Sequence, residues 1–219
     1  MHCSTERERK QMNLKNNNVT IAGKIVAGFT FENEVCGEKF YMTNIRVHRN
    51  SGAYDLIPIM VSERLVDIGK DYRDFYILAT GQFRSHNRHD GDKSKLILYV
   101  FAREVSISED ICEKYDLNSI SLDGYICKEQ KYRKTPLERE ICDVLFAVNR
   151  PYGKSDYIPC ICWGRNARYV SNLEVGTRLK VSGRIQSREF EKKFADGTKD
   201  VRTAYEVSVS KIEVVEGEE

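Results

Sequence analysis

The sequence lacks the patterns on which several classes of protein depend. No apolar run approaches the roughly 20 residues that a membrane-spanning helix needs, and the first residues, Met1–Lys10, are polar and charged rather than those of a signal peptide. No Gly-rich phosphate loop, nucleophile elbow or histidine–carboxylate constellation is present, so we do not expect an enzyme. These absences favour a soluble, intracellular protein without catalytic activity.

Cysteine usage points away from both disulfides and metal sites. The seven cysteines are an odd number, none forms a CxxC pair, and the four histidines do not stand at zinc spacing from them. Cys127, Cys142, Cys160 and Cys162 fall in apolar strand patterns, which is typical of buried, reduced thiols. We therefore expect no metal and no cofactor, in a reducing cytosolic compartment.

The sequence does contain a long internal repeat. The segment Asp55–Met60 (DLIPIM) recurs 101 residues later as Asp156–Ile161 (DYIPCI), and flanking glycines and arginines keep the same offset. A period of this length indicates a domain, because solenoid units repeat roughly every 20–50 residues. We predict two domains, at residues 18–106 and 118–215, with a linker at 107–117, a disordered tail at 1–17 and an acidic end at 216–219.

Each copy has the pattern of a small β-barrel, with short runs of Val, Ile, Tyr and Phe between turn residues. We predict five strands per copy, near 19–28, 39–48, 55–62, 75–85 and 95–105 in the first and near 119–128, 139–149, 156–163, 177–189 and 201–214 in the second. One short helix is expected between the third and fourth strands of each copy, within Ser62–Asp74 and at Asn166–Leu173, and a helical turn in the linker at Glu109–Tyr115. This order is that of a Greek-key OB-fold. The predicted fold class is therefore all-β, with two tandem five-stranded OB-fold barrels.

Asp55 and Asp156 adjoin hairpin loops and are interpreted as turn-forming residues.

Side-chain alternation in the second copy separates a core face from a face of different composition. In its third strand Ile158, Cys160 and Cys162 suit the core, whereas Tyr157 and Trp163 share the opposite face. The fourth strand opposes an apolar face to a row of cations that ends in an aromatic: Arg178, Lys180, Arg184, Gln186, Arg188 and Phe190. A lone tryptophan in a strand is more often a core residue, but the face that Trp163 shares with Tyr157 favours exposure.

Aromatics flanked by cations suit single-stranded nucleic acid, because bases stack on rings while Lys and Arg contact phosphates. Residues 118–215 hold 18 Lys and Arg against 13 Asp and Glu, whereas residues 18–105 hold 12 against 11. A solvated surface of mixed charge is the plainer alternative. The candidate nucleic-acid site combines strand and loop residues: Tyr132, Arg133, Lys134, Arg150, Tyr152, Lys154, Tyr157, Trp163, Arg165, Arg184, Arg188, Phe190, Lys192 and Lys193.

The second copy resembles the bacterial single-stranded DNA-binding protein family in three ordered stretches, Leu145–Arg150, Tyr157–Ala167 and Val181–Arg188. The resemblance implies sequence-independent binding and protection of single-stranded DNA in replication, recombination or repair, with stacking on Tyr152, Tyr157, Trp163 and Phe190. The two-copy arrangement looks like a form found in clostridial relatives. It implies a homodimer that presents four OB-folds, in the bacterial cytoplasm and associated with the nucleoid.

The chain departs from the family, whose members usually carry one OB-fold and assemble as tetramers, and its first copy differs from its second. The family's tail normally ends in an acidic tip with a terminal aromatic that recruits replication proteins, whereas Val215–Glu219 has no aromatic, so recruitment by this route is not expected. In the first copy the four aromatic positions become Ser51, Leu56, Ser62 and Arg88.

We therefore predict that the first OB-fold mainly supports assembly and binds weakly or differently. Tyr41, Tyr54 and Tyr99 remain open as other stacking residues in this copy. For the whole chain, RNA as the ligand remains open. So does an OB-fold protein-interaction or primosome-type assembly module with little nucleic-acid affinity of its own.

Overall fold

The computed structural model describes residues 16–90, 93–109, 117–193 and 197–215. Nearly all of the predicted tail, most of the predicted linker with its helical turn, and the acidic end lie outside these ranges. The described chain is a succession of strands with one short α-helix.

Six strands build the first half of the molecule and six the second. The first six are β1 (Asn17–Ile25), β2 (Thr30–Val35), β3 (Glu38–His48), β4 (Tyr54–Ser62), β5 (Tyr76–Asp90) and β6 (Lys93–Ser108). The second six are β7 (Asn118–Ile126), β8 (Lys131–Lys134), β9 (Glu140–Asn149), β10 (Ser155–Trp163), β11 (Arg178–Lys193) and β12 (Lys199–Val214). A 3-10 turn at Pro151–Gly153 precedes β10, and helix α1 (Arg165–Val170) follows it.

Each half closes into a five-stranded barrel. In the first half β1 pairs with β3 and β5, β3 pairs with β4, β5 pairs with β6, and β4 pairs in parallel with β6. The second half repeats every pairing with β7, β9, β10, β11 and β12. The predicted all-β fold with two OB-type barrels is confirmed. The short strands β2 and β8, which extend β3 and β9 as hairpins, were not predicted.

The barrel interiors follow the predicted alternation. Ile57, Ile59 and Val61 of β4 are fully buried, as are Ile158 and the thiols of Cys160 and Cys162 on β10, within a few per cent. Phe83 and Phe146 are the largest fully buried side chains among the described residues. Each fully buried apolar side chain contributes about 1.5–3 kcal/mol relative to an exposed one.

The helix prediction is correct for one barrel and wrong for the other. Helix α1 forms in the second barrel, whereas residues 63–75 of the first barrel are turns. There the carboxylates of Asp67 and Asp71 accept hydrogen bonds from the backbone N–H groups of Gly69 and Arg73, both at 3.0 Å. These local side-chain bonds compete with helix formation, and Asp74 adopts a left-handed φ of 71°.

The two barrels are related by an approximate two-fold axis. β1 and β7 pair antiparallel, with Val19 opposite Ile120, and this joins both barrels in one continuous sheet. The side chain of Asn17 accepts from the N–H of Phe83 at 2.9 Å and donates to its carbonyl at 2.7 Å. Asn118 makes the same pair of bonds to Ile185, at 2.8 and 2.7 Å.

The two repeated aspartates connect the barrels to each other. Asp55 is fully buried and accepts a hydrogen bond from the N–H of Ser187 at 2.7 Å, and Asp156 is fully buried and accepts from the N–H of Ser85 at 2.8 Å. In return the serine hydroxyls accept from the N–H groups of the residues after each aspartate, at 3.2 and 2.7 Å. The turn-forming interpretation of these aspartates is therefore wrong, because each one binds the opposite barrel.

Candidate nucleic-acid interface

The outer surface of β9, β10, β12 and β11 carries most of the predicted aromatic residues. Tyr157 is 44% exposed, and Trp163 and Phe190 are each 38% exposed, while the alternate residues of β10 are buried. Tyr152, at 90%, projects from the 3-10 turn beside this surface. We call the surface formed by Tyr152, Tyr157, Trp163 and Phe190 the aromatic face.

One edge of the Trp163 ring is fixed by a hydrogen bond, and part of the ring is exposed to solvent. Its indole N–H donates to the Ser208 hydroxyl at 3.2 Å, which fixes the ring orientation against β12. An open groove of about 630 Å³ lies beside the ring and is lined by Lys134, Glu138, Arg139, Glu140 and Gly164. A ring that is fixed along one edge and open on the side of a groove is suited to stacking.

The loop that presents Tyr152 has an uncommon backbone. Tyr152 adopts a left-handed φ of 64°, and Gly153 follows at 67°. This conformation costs a non-glycine residue roughly 1–2 kcal/mol. The loop base is closed by the N–H of Arg150, which donates to the carbonyl of Lys154 at 2.7 Å. The result is a tight turn that places an aromatic ring and a lysine in solvent.

Three predicted loop residues lie in β8. Tyr132 is 42% exposed, and its hydroxyl donates to Glu140 at 2.7 Å, which raises the pKa of the Tyr132 phenol. Arg133 pairs with Asp143 at 2.8 Å and Lys134 with Glu138 at 2.9 Å. Exposed ion pairs of this kind contribute only about 0–1 kcal/mol, so both cations can exchange these partners for phosphates.

Phe190 lies beside positive charge, and one mostly buried carboxylate lies further along the same pair of strands. The Arg188 guanidinium is 5.9 Å from the centre of the Phe190 ring, and Arg202 of β12 is directly opposite Phe190. Glu206 is mostly buried on the same surface, and burial raises its pKa against the opposing effect of Arg188. An ionised Glu206 would repel phosphates bound at this end of the face.

Two of the predicted cations lie at the contact between the barrels. Arg184 donates to the carbonyl of His48 at 3.2 Å and lies 3.6 Å from Asp55. Arg150 lies 3.4 Å from Asp156. Both side chains are therefore held by buried carboxylates of the repeat, and their contact with phosphates remains a prediction.

The remaining predicted cations are placed as follows. Lys154, Arg165 and Arg188 are exposed. Lys192 and Lys193 have backbone positions at the end of β11, but their side chains lie outside the described part of the structure.

Residues of β12 belong to this surface and were not predicted. Arg202, Ala204 and Ser208 alternate along the strand on the same side as Phe190 and Trp163. The sequence contained the signal for this. Val207 and Val209 alternate with Ser208, and since the two valines are buried, Ser208 lies on the outer face.

Other site chemistries find little basis in the described residues. Within these ranges no three His, Cys, Asp or Glu side chains are grouped so as to hold a metal ion. No described helix is long and apolar enough to cross a membrane. The five described cysteines are free, and burial raises the pKa of Cys142 to about 11 and that of Cys162 to about 12.

The chain is similar in sequence to known single-stranded DNA-binding proteins. Residues 117–215 match the model of the "Single-strand binding protein family". A single-stranded DNA-binding protein of Clostridium tetani is 31% identical over 107 residues, which are 46% of this chain and 71% of that protein. One from Oceanobacillus iheyensis is 34% identical over 82 residues, 34% of this chain and 51% of that protein. The chain spans about half the length of most curated relatives that it matches.

A solved structure shares the arrangement of both barrels. The crystal structure of the wild-type single-stranded DNA binding protein from Thermus aquaticus superimposes with a TM-score of 0.73 at 17% identity, covering 93% of this chain and 94% of that one. At this identity the likeness shows the fold alone. The family match and the Clostridium tetani relative together show that the chain belongs to the single-strand binding protein family.

Proposed function

We propose that the chain binds single-stranded DNA without sequence preference and protects it during replication, recombination or repair. The observation that carries this proposal is the aromatic face, on which all four aromatic residues are exposed. Base stacking on such rings contributes about 1–3 kcal/mol per base. Because every base has a flat face, stacking accepts any sequence.

Cations around the face supply the contacts to the phosphate backbone. Lys154, Arg165 and Arg188 are exposed beside the rings, and Arg133 and Lys134 are in weak surface pairs. The connection from β7 to β9 carries Tyr132, Arg133 and Lys134 in β8, and the β11–β12 hairpin carries Arg188 and Phe190. OB-folds bind single strands with loops in these places.

We further propose that the protein acts as a homodimer with four OB-folds, in the bacterial cytoplasm and on nucleoid DNA. Two barrels in each chain and membership of the family support this assembly. The second barrel, at 118–215, holds the main site, and the first, at 18–106, mainly supports assembly.

Fluorescence anisotropy of labelled oligo-dT tests the proposal. The logarithm of the affinity should fall with the logarithm of salt concentration by about 0.7 for each phosphate contact. Trp163→Ala should weaken binding by about 1–3 kcal/mol, while circular dichroism shows that the barrels remain folded. Tyr169→Ala is the matched control, because Tyr169 is an exposed aromatic on α1 rather than on a strand of the face.

Competing oligonucleotides separate the alternatives. Duplex DNA of the same length should compete poorly, and an RNA oligomer reports any preference for DNA. Absence of binding to all three would favour the protein-interaction module instead.

A further inference from the structure

The first barrel has an aromatic pair on the surface that corresponds to the Trp163 position. Phe40 on β3 and Phe101 on β6 are half-buried, with ring centroids 5.6 Å apart and planes inclined by 39°. β4 runs between these two strands, and its Ser62 and Met60 lie directly opposite Phe40 and Phe101. Since Ser62 and Met60 are buried, the two rings meet above β4 and form the outer surface there.

The strand registers show that large and small residues occupy opposite positions in the two barrels around Ser62 and Trp163. Ile141, Trp163 and Ser208 occupy β9, β10 and β12 in the second barrel. The corresponding residues on β3, β4 and β6 are Phe40, Ser62 and Phe101. A large ring between two smaller residues is replaced by a small residue between two large rings. An aromatic surface is therefore retained, although none of these three positions is aromatic in both barrels.

The surface strands of the first barrel carry four cations, and two acidic residues lie beside them, Glu32 paired with Arg88 and Glu38 bonded to the Ser62 hydroxyl. The strand segments 40–46, 56–62, 82–88 and 95–101 contain Arg46, Arg84, Arg88 and Lys95 but no Asp or Glu. The corresponding segments of the second barrel include Asp143, Glu189 and Glu206. Arg84 pairs with buried Asp156 and Arg88 with Glu32, whereas Lys95 is exposed. Tyr99 is half-buried and lies two residues before Phe101 on the same face of β6, so it continues the aromatic surface. Its ring centroid is 5.6 Å from that of His86.

A groove lies between the two barrels and includes Phe190 of the aromatic face. It has a volume of about 750 Å³ and is lined by Glu32, Met42, Pro58, Arg88 and Lys95–Leu98 on one side and by Pro159, Phe190 and Asp200–Tyr205 on the other. We call it the junction groove. Phe190 therefore belongs both to the aromatic face and to the passage toward the first barrel.

We propose that Phe40 and Phe101 form a second base-stacking platform for single-stranded DNA, and that the junction groove joins this platform to the aromatic face. This inference rests on the proposed function and modifies its division of labour, because the first barrel then contributes to binding directly. The first barrel would then also stack bases on aromatic rings, but its rings come from β3 and β6, the two strands that flank β4.

The test uses the full chain and labelled oligo-dT of increasing length. The double variant Phe40→Leu/Phe101→Leu keeps apolar bulk above β4 but removes the flat rings. We expect its affinity for oligomers long enough to reach both barrels to fall about 5- to 100-fold, as loss of stacking predicts. The number of nucleotides covered per chain should also decrease. Affinity for the shortest oligomer that binds should stay unchanged, since that oligomer is held by the aromatic face.

Three further measurements decide between the outcomes. Tyr169→Leu is the control for loss of an exposed ring, and melting temperatures show that each variant is folded. If the wild-type chain binds and Trp163→Ala weakens it, but the double variant binds long oligomers normally, the platform is refuted and the proposed function stands. If sedimentation shows that the double variant loses only self-association, the surface belongs to the contact between copies and the platform is again refuted. If the wild-type chain binds no oligomer, both proposals fail together.

Discussion

Replacing Asp156 by alanine should weaken the contact between the barrels and destabilise the whole chain. Asp156 accepts from the N–H of Ser85 at 2.8 Å and lies 3.2 Å from the Arg84 guanidinium and 3.4 Å from that of Arg150. Burial lowers the pKa of Arg84, the nearby Arg150 lowers it further, and Asp156 opposes both effects. Without the carboxylate, two arginines face each other at the interface with no compensating charge.

The magnitude follows from what remains after the substitution. Removing one member of a buried ion pair costs about 3–5 kcal/mol, and a buried N–H without an acceptor costs about 1–3 kcal/mol. These costs overlap, because both describe the loss of one carboxylate. We expect about 3–5 kcal/mol in total, and less for Asp156→Asn, which keeps an acceptor oxygen.

Urea denaturation measures this loss when Trp163 fluorescence is followed together with far-ultraviolet circular dichroism. The fluorescence reports the second barrel and the dichroism reports both, so uncoupled barrels would show two separate midpoints. Glu191→Ala is the control, because its pair with Lys199 at 3.0 Å is more than half exposed and contributes about 0–1 kcal/mol. The reasoning is refuted if Asp156→Ala unfolds in a single transition at the same midpoint as Glu191→Ala.

Three other predictions concern separate parts of the molecule. Glu206→Gln should stabilise the chain and strengthen DNA binding at pH 7. Because burial raises the pKa of Glu206, this gain should vanish as the pH falls below that pKa; equal gains at acid and neutral pH would contradict it. Gly183→Ala should destabilise the chain by about 1–3 kcal/mol or more, since its Cβ would lie 2.1 Å from the Ser208 carbonyl oxygen; an unchanged melting temperature would refute the close approach. Mass spectrometry after thiol labelling at pH 8 should find Cys36 modified and Cys142 and Cys162 protected until denaturant is added, because Cys36 is the only exposed thiol among the five described cysteines.

The strands that line the barrels could be predicted because burial imposes alternation on them. Ile57, Ile59 and Val61 are fully buried, and that pattern is visible in the sequence. β2, with the sequence TFENEV, and β8, with KYRK, have no buried face. They exist through pairing with β3 and β9, so no alternation marked them.

The contact between the barrels could not be predicted, because it joins residues that are far apart in the chain. The repeat showed that an aspartate is kept at positions 55 and 156, but not that Ser187 and Ser85 donate to them. For the same reason the sequence did not show that these aspartates hold Arg150 and Arg184. Phe40 and Phe101 were missed because the copies were compared position by position, whereas the rings come from neighbouring strands.

Fluorescence of Trp163 during titration with unlabelled oligo-dT tests the central claim most directly. The chain has one tryptophan, so the signal reports the aromatic face and no other place. Stacking predicts strong, saturable quenching that is reversed by salt and is absent with duplex DNA. If anisotropy shows that the strand is bound while the Trp163 emission stays unchanged, the aromatic face is not the binding site.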